Sequence, residues 1–137
     1  MTYPIGSYQR IDKCGNCVRE VAINPEFAEE WFKFYKSLER SEKGFVEAKI
    51  QQIAETPKIR GNWFKHFKTI SHKNKRPHIY EIKKKTKQSN MRIFGWFFKD
   101  YFLLLYAYRK KQKQKSPRNI NQRVINRLKK DIDNLYR

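Results

Sequence analysis

Seven side chains that bind or transfer charge recur at close spacing in one stretch of this sequence: His78, Lys83, Lys85, Arg92, Tyr108, Arg109 and Lys110. Each type brings its own chemistry. A guanidinium is planar, permanently charged and forked to meet two oxygens of one phosphate, which makes Arg92 the residue suited to neutralising a phosphoryl group. Lys83, Lys85, Arg109 and Lys110 would add positive charge around it. His78 has the unperturbed pKa best placed for proton transfer, and Tyr108, at the exit of an apolar run, is a second candidate donor. A lysine depressed by cationic neighbours is an equal candidate for the base. A lone histidine is more often structural than catalytic, and Glu81 reads as a structural partner for a neighbouring lysine.

Three runs must position these groups. His78 to Lys85 alternates Tyr80 and Ile82 against Glu81, Lys83 and Lys85, the pattern of a half-buried strand from which Lys83 and Lys85 project together. Thr86 to Asn90 is polar enough for a turn. In Met91 to Phe98 a period of two puts Ile93 and Phe97 on one face and Arg92 with Phe94, Trp96 and Phe98 on the other. Those rings are either covered by another element or offered as stacking platforms for bases. Tyr101 to Tyr108 is apolar throughout, as in a central strand covered on both sides. Its register is open, so either Arg109 or Lys110 faces the cationic surface. The three runs together predict an antiparallel meander.

Elements on either side supply the core. Val18 to Ile23 predicts a short first strand. Asn24 and Pro25 fit the cap and first position of a helix with Phe27, Trp31, Phe34 and Leu38 on one face. After a break at Ser41, a second helix runs to Thr56 with Val46, Ile50 and Ile53 inward, and Pro57 stops it. The pair reads as an antiparallel helical hairpin. Lys58 to Pro77 reads as a loop. Lys115-Ser116-Pro117 predicts the cap and first turn of a terminal helix that docks along Ile120, Val124, Leu128, Ile132 and Leu135. The expected fold is α+β, a helical hairpin and a terminal helix packed on a mixed sheet of about four strands. Its expected core includes Phe27, Trp31, Phe34, Ile50, Ile53, Ile93, Phe97, Leu103 and Leu105.

The 137 residues suit one domain, residues 18–137, preceded by a loosely held arm over residues 1–17. Cys14 and Cys17 in that arm are expected as two unpaired thiols; half a zinc site completed by His66, His72 or His78, or a redox couple, are the alternatives. No metal or cofactor is expected. The net charge of +19 is uneven: residues 58–115 hold 18 Lys and Arg against only Glu81 and Asp100, while residues 1–57 hold 8 against 9 acids. Clustering of this kind is the footprint of nucleic-acid binding, because each neutralised phosphate releases counterions. No basic start leads into an apolar core, and the longest apolar run, Ile93 to Ala107, is broken by Lys99 and Asp100. A cytoplasmic protein without a membrane segment is therefore expected.

Strand, two helices, three-stranded meander and terminal helix is an order that resembles the RelE/ParE toxin superfamily. Tyr80-Glu81-Ile82-Lys83 and Met91-Arg92-Ile93-Phe94 are similar to the Tyr-Glu-Leu-Arg and Arg-Ile-(Phe/Tyr) segments of its HigB-like, phage-related branch. Lys110-Lys111 through Lys115-Ser116-Pro117 is similar to that branch's Lys-Lys-Thr-x-Lys-Thr-Pro run, with one residue more. The likeness spans about residues 18–133, with residues 1–17 and 65–76 as additions. It implies a RelE-like fold and the toxin of a type II toxin-antitoxin pair, a metal-independent endoribonuclease that cuts messenger RNA on the ribosome and is held by a cognate antitoxin protein. RNA cleavage without metal needs a base for the 2′-OH, positive charge on the phosphate and an acid for the leaving oxygen. Arg92, Lys83, Lys110, His78 and Tyr108 are the candidates for these roles, with Lys85, Arg109, Lys111 and Lys115 as RNA-binding residues. Relatives in the ParE branch poison DNA gyrase, so a non-catalytic binder of nucleic acid or gyrase is the alternative.

Overall fold

A six-stranded mixed sheet forms the middle layer of the computed structural model, which describes residues 3–85, 89–111 and 115–136. Its strands are β1 (Gln9–Arg10), β2 (Glu20–Ile23), β3 (Phe64–Thr69), β4 (His78–Lys85), β5 (Ser89–Phe98) and β6 (Tyr101–Lys111), in the order β1-β2-β6-β5-β4-β3. Only β2 and β6 run parallel; the other neighbours are antiparallel. The helices are α1 (Pro25–Ser37), α2 (Arg40–Glu55) and α3 (Ile120–Leu135). The architecture is α+β, with more strands than the sequence predicts.

Helix starts follow local chemistry. The Asn24 side chain accepts the Glu26 N–H at 2.9 Å, and Pro25 fills the first turn where no N–H is needed. The break before α2 falls at Leu38-Glu39 rather than at Ser41, because the Glu39 N–H donates to the Glu42 carboxylate at 2.9 Å and so starts the helix earlier. Helix α3 starts later than expected, at Ile120. Asn119 precedes it in the left-handed region (φ 56°), and Lys115-Ser116-Pro117 remains outside the helix.

The two sheet faces carry separate cores. On one, Phe27 and Trp31 of α1 and Val46, Ile50 and Ile53 of α2 meet Val21, Ile23, Ile82, Met91, Ile93, Phe102 and Leu104. On the other, Val124, Leu128 and Ile132 of α3 meet Ile79, Phe94, Trp96, Phe98, Leu103, Leu105 and Tyr106. Of the expected core, Phe34 and Phe97 are only half-buried. One irregularity sets the direction of everything beyond it. Opposite Phe94 and Gly95 the β5–β6 register slips by one residue, so Leu105 and Tyr106 both turn toward α3. Past this bulge Tyr108 and Lys110 keep to the α3 face, and Arg109 points to the α1–α2 face.

Three sequence expectations are corrected. Phe64–Thr69 is a strand, not a loop, pairing with β4 from Phe64↔Ile82 to Thr69↔His78, which makes the meander four-stranded. Residues 3–17 are packed rather than loosely held. Tyr8, Asp12 and Cys14 are buried, and the Asp12 carboxylate accepts the backbone N–H of Val21 at 2.8 Å and of Cys14 at 3.2 Å. Tyr8 donates its hydroxyl to Asp131 of α3 at 2.8 Å. Partners this distant in sequence leave no local periodicity to read. Cys14 and Cys17 form a disulfide instead of standing as two thiols; the turn at Gly15-Asn16 brings their Cα atoms to 5.7 Å, inside the range such a bond requires.

Candidate nucleic-acid interface

Register fixes a small cationic grid on the α3 face of β4, β5 and β6. Lys83 lies opposite Arg92, and Arg92 opposite Tyr108; two residues along, Lys85 lies opposite Asn90, and Asn90 opposite Lys110. Side chains two apart on a strand share a face, and neighbouring strands are about 4.8 Å apart, so six side chains occupy a patch of about 10 by 7 Å. Two residues along the strands in the other direction, Phe94 and Tyr106 mark where the apolar cover begins. The grid is therefore the continuation of a core face past the point where helix α3 stops covering it.

Arg92 is held by three contacts. Its side chain is 15% exposed, its Nε lies 3.6 Å from Glu81 Oε2, and its Nη1 donates to the Met91 carbonyl at 3.1 Å and to the Asn90 side chain. These contacts stretch the guanidinium along the sheet surface between Lys83 and Tyr108. Burial pushes the Tyr108 hydroxyl above its ordinary pKa despite the nearby Arg92 charge, which pulls the other way, as does its hydrogen bond with Ser116. Tyr108 is thus protonated throughout the neutral range. The Ser116 contact also brings the exposed Lys115 beside the grid.

Not every predicted residue joins this site. Arg92, Lys83, Lys110, Tyr108 and Lys85 come together on one face. His78 does not: it begins β4, five residues from Lys83 and on the opposite face, where its Nδ1 shares Thr69 Oγ1 at 2.6 Å. Arg109 is also elsewhere, because the bulge turns it toward α2. There its Nε pairs with Glu42 at 2.8 Å and its Nη2 with Glu39 at 3.2 Å, leaving the side chain 13% exposed. It holds the hairpin to the sheet. Lys111 ends β6 opposite Ser89, and its side chain lies outside the described residues.

Asn90, Glu81 and Ser116 are members that sequence reasoning assigned to a turn, to lysine pairing and to a helix cap. Extending the period of two by one step below Arg92 would have placed Asn90 beside it. Among the described residues no three of His, Cys, Asp and Glu gather as a metal ion would need, and no helix is long and apolar enough to cross a membrane. A groove of about 380 Å³ between β1 and the α1–α2 hairpin, lined by Trp31, Phe32 and Tyr35, shares no residue with the grid. No family model, curated protein or solved structure matches this chain.

Proposed function

We propose that the chain is a RelE-like, metal-independent endoribonuclease, the toxin of a type II toxin-antitoxin pair acting in the cytoplasm on ribosome-bound messenger RNA. The observation that carries this reading is the grid of Lys83, Arg92 and Tyr108 with Lys85, Asn90 and Lys110. The order of strand, helical hairpin, antiparallel meander and terminal helix supports the same resemblance, with β1 and β3 as additions.

In this reading the scissile phosphate docks on Arg92 and takes the place of Glu81 on the guanidinium. Charge that develops on the phosphate then meets a preplaced cation in a half-covered setting, where it costs least to stabilise. Tyr108, protonated and next to Arg92 in register, gives its proton to the leaving 5′-oxygen. Lys83, the third member of that row, takes the proton from the attacking 2′-OH as its neutral amine, and Lys110, one row on, keeps its charge beside the phosphate. Lys85 and Lys115 hold the neighbouring phosphates, and a cognate antitoxin restrains the protein by covering this surface.

A non-catalytic, ParE-like binding role is favoured by one observation, the Glu81 contact that already occupies Arg92. Mapping new 5′ ends after incubation with translating ribosomes separates the two. Cleavage that needs both ribosomes and Arg92 supports the nuclease; translation arrest or gyrase poisoning without new ends supports the binder.

A further inference from the structure

The opposite face of the sheet carries a second surface of a different kind. Helix α1 packs chiefly on β6 and α2 on β2, leaving the β3–β4 side of that face to a run of partly open rings. His66 and His78 are exposed with ring centroids 5.4 Å apart; His66 meets Tyr80 at 5.7 Å, and Phe64 stacks on Tyr80 at 5.1 Å with planes 9° apart. Trp63 follows at 5.6 Å from Phe64. Along the same side Lys49 Nζ sits 4.6 Å from the Trp63 ring and Lys84 Nζ 4.9 Å from Phe45. Among the described residues no carboxylate pairs with Lys49 or Lys84, in contrast to Arg109 and Arg127, which meet glutamates.

Rings that are half open and flanked by unneutralised cations match the needs of a single strand of nucleic acid. Bases stack on ring faces while phosphates meet the ammonium groups, and a duplex, whose bases are already stacked and paired, has no use for the rings. The strip runs from His78 to Lys84, about 20 Å along β4, room for a few nucleotides. Its outer boundary is β3, the last strand of the sheet. On the far side of β3 exposed Lys65 lies opposite Glu81, on the face that carries Arg92.

We propose that this β3–β4 strip is a stacking platform for single-stranded RNA, whose chain continues over edge strand β3 and past Lys65 to the Arg92 grid. The continuation rests on the ribonuclease reading above; the platform itself is tested without it.

The test is fluorescence anisotropy of a labelled 12-nucleotide single-stranded RNA and of a duplex of equal length with the full chain, at three salt concentrations. Because Trp31 and Trp96 are buried, quenching of tryptophan emission reports base stacking at half-buried Trp63. Tyr80→Leu should weaken single-strand binding by about 5- to 100-fold. His66→Ala, at an exposed position, should weaken it less. Both should leave duplex affinity and the salt slope unchanged, and Arg92→Ala should leave the quenching intact. Unquenched emission on RNA binding, equal losses for single strand and duplex, or a His66→Ala Tyr80→Leu protein that binds within twofold of the parent would overturn the platform. Stacking without ribosome-dependent cleavage would refute the nuclease alone, and cleavage without stacking would refute the platform alone.

Discussion

On the proposed nuclease reading, replacing Arg92 by alanine separates catalysis from binding, because there the residue does two jobs of different size. In the folded protein it pairs with Glu81 at 3.6 Å, the two side chains being 15% and 18% exposed. A pair this covered lies between the surface and buried extremes, so losing it should destabilise by about 1–2 kcal/mol. For the reaction, removing a fixed donor that meets charge only as it develops costs about 100- to 1,000-fold. The lower end is expected here, since Lys83 and Tyr108 remain as neighbours on either side. Single-turnover cleavage at saturating ribosomes measures the chemical step alone, because binding losses spread over many lysines then vanish from the rate. Glu81→Gln combined with Arg92→Ala should restore the melting temperature without restoring the rate, and His78→Ala, on the opposite face, should leave the rate within twofold. Unchanged single-turnover cleavage by folded Arg92→Ala protein would refute the assignment.

The packing sets four further outcomes. Asp131 accepts Tyr8 Oη at 2.8 Å, Asn24 Nδ2 at 3.0 Å and Trp96 Nε1 at 3.0 Å, so Asp131→Ala should strand three buried donors and lower stability by about 3–5 kcal/mol in urea unfolding. Burial pushes the Asp131 carboxyl up to about 6, against those donors, so its contribution to stability is full below about pH 4 and is lost as pH rises through about 6; Asp131→Asn should flatten that part of the stability profile. Arg109→Ala leaves Glu42, only 4% exposed, without its main partner and should cost about 3–5 kcal/mol, whereas Arg109→Met with Glu42→Leu should recover most of the melting temperature. A Cβ at Gly95 would meet the Phe102 ring at 2.6 Å and the Leu103 carbonyl at 2.9 Å, so Gly95→Ala should destabilise by about 1–3 kcal/mol, read by thermal unfolding.

Local periodicity was enough for α1, α2, β4, β5 and the apolar stripe of α3, since each repeats a burial pattern within its own segment. It placed Lys83, Lys85 and Arg92 because those lie before any irregularity. It left the choice between Arg109 and Lys110 open for a physical reason: an unbroken alternation from buried Leu103 and Leu105 would carry Arg109 to the α3 face, and the bulge at Leu105 reverses the parity. A uniformly apolar strand hides such a slip, since every residue in it is acceptable on either side. Residues 3–17 and β3 were missed because their order comes from partners far away, Asp131 for Tyr8 and β4 for Phe64–Thr69. The glycine at 95 was the one visible sign, since glycine inside a strand marks a bulge or a close approach.

What permits a cationic grid on this sheet is where α3 ends. Its buried stripe begins at Val124, with Ile120 only half-buried, so its cover reaches Tyr106 and Phe94 but not the next row, Lys83, Arg92 and Tyr108. Had the helix begun at Pro117, as its sequence suggests, another turn would have lain over that row and buried its two cations, Lys83 and Arg92, against apolar side chains. Such burial is tolerated only when each charge is paired, and among the described residues Glu81 is the one carboxylate paired on that patch. Asn119 in the left-handed conformation holds the entry to the helix clear, and the segment before it brings Ser116 against Tyr108 instead. The same three strands therefore serve a dry core at one end and a wet, positively charged surface at the other. Substitutions in the row of Phe94 should act on stability, and those in the row of Arg92 mainly on the proposed phosphate chemistry.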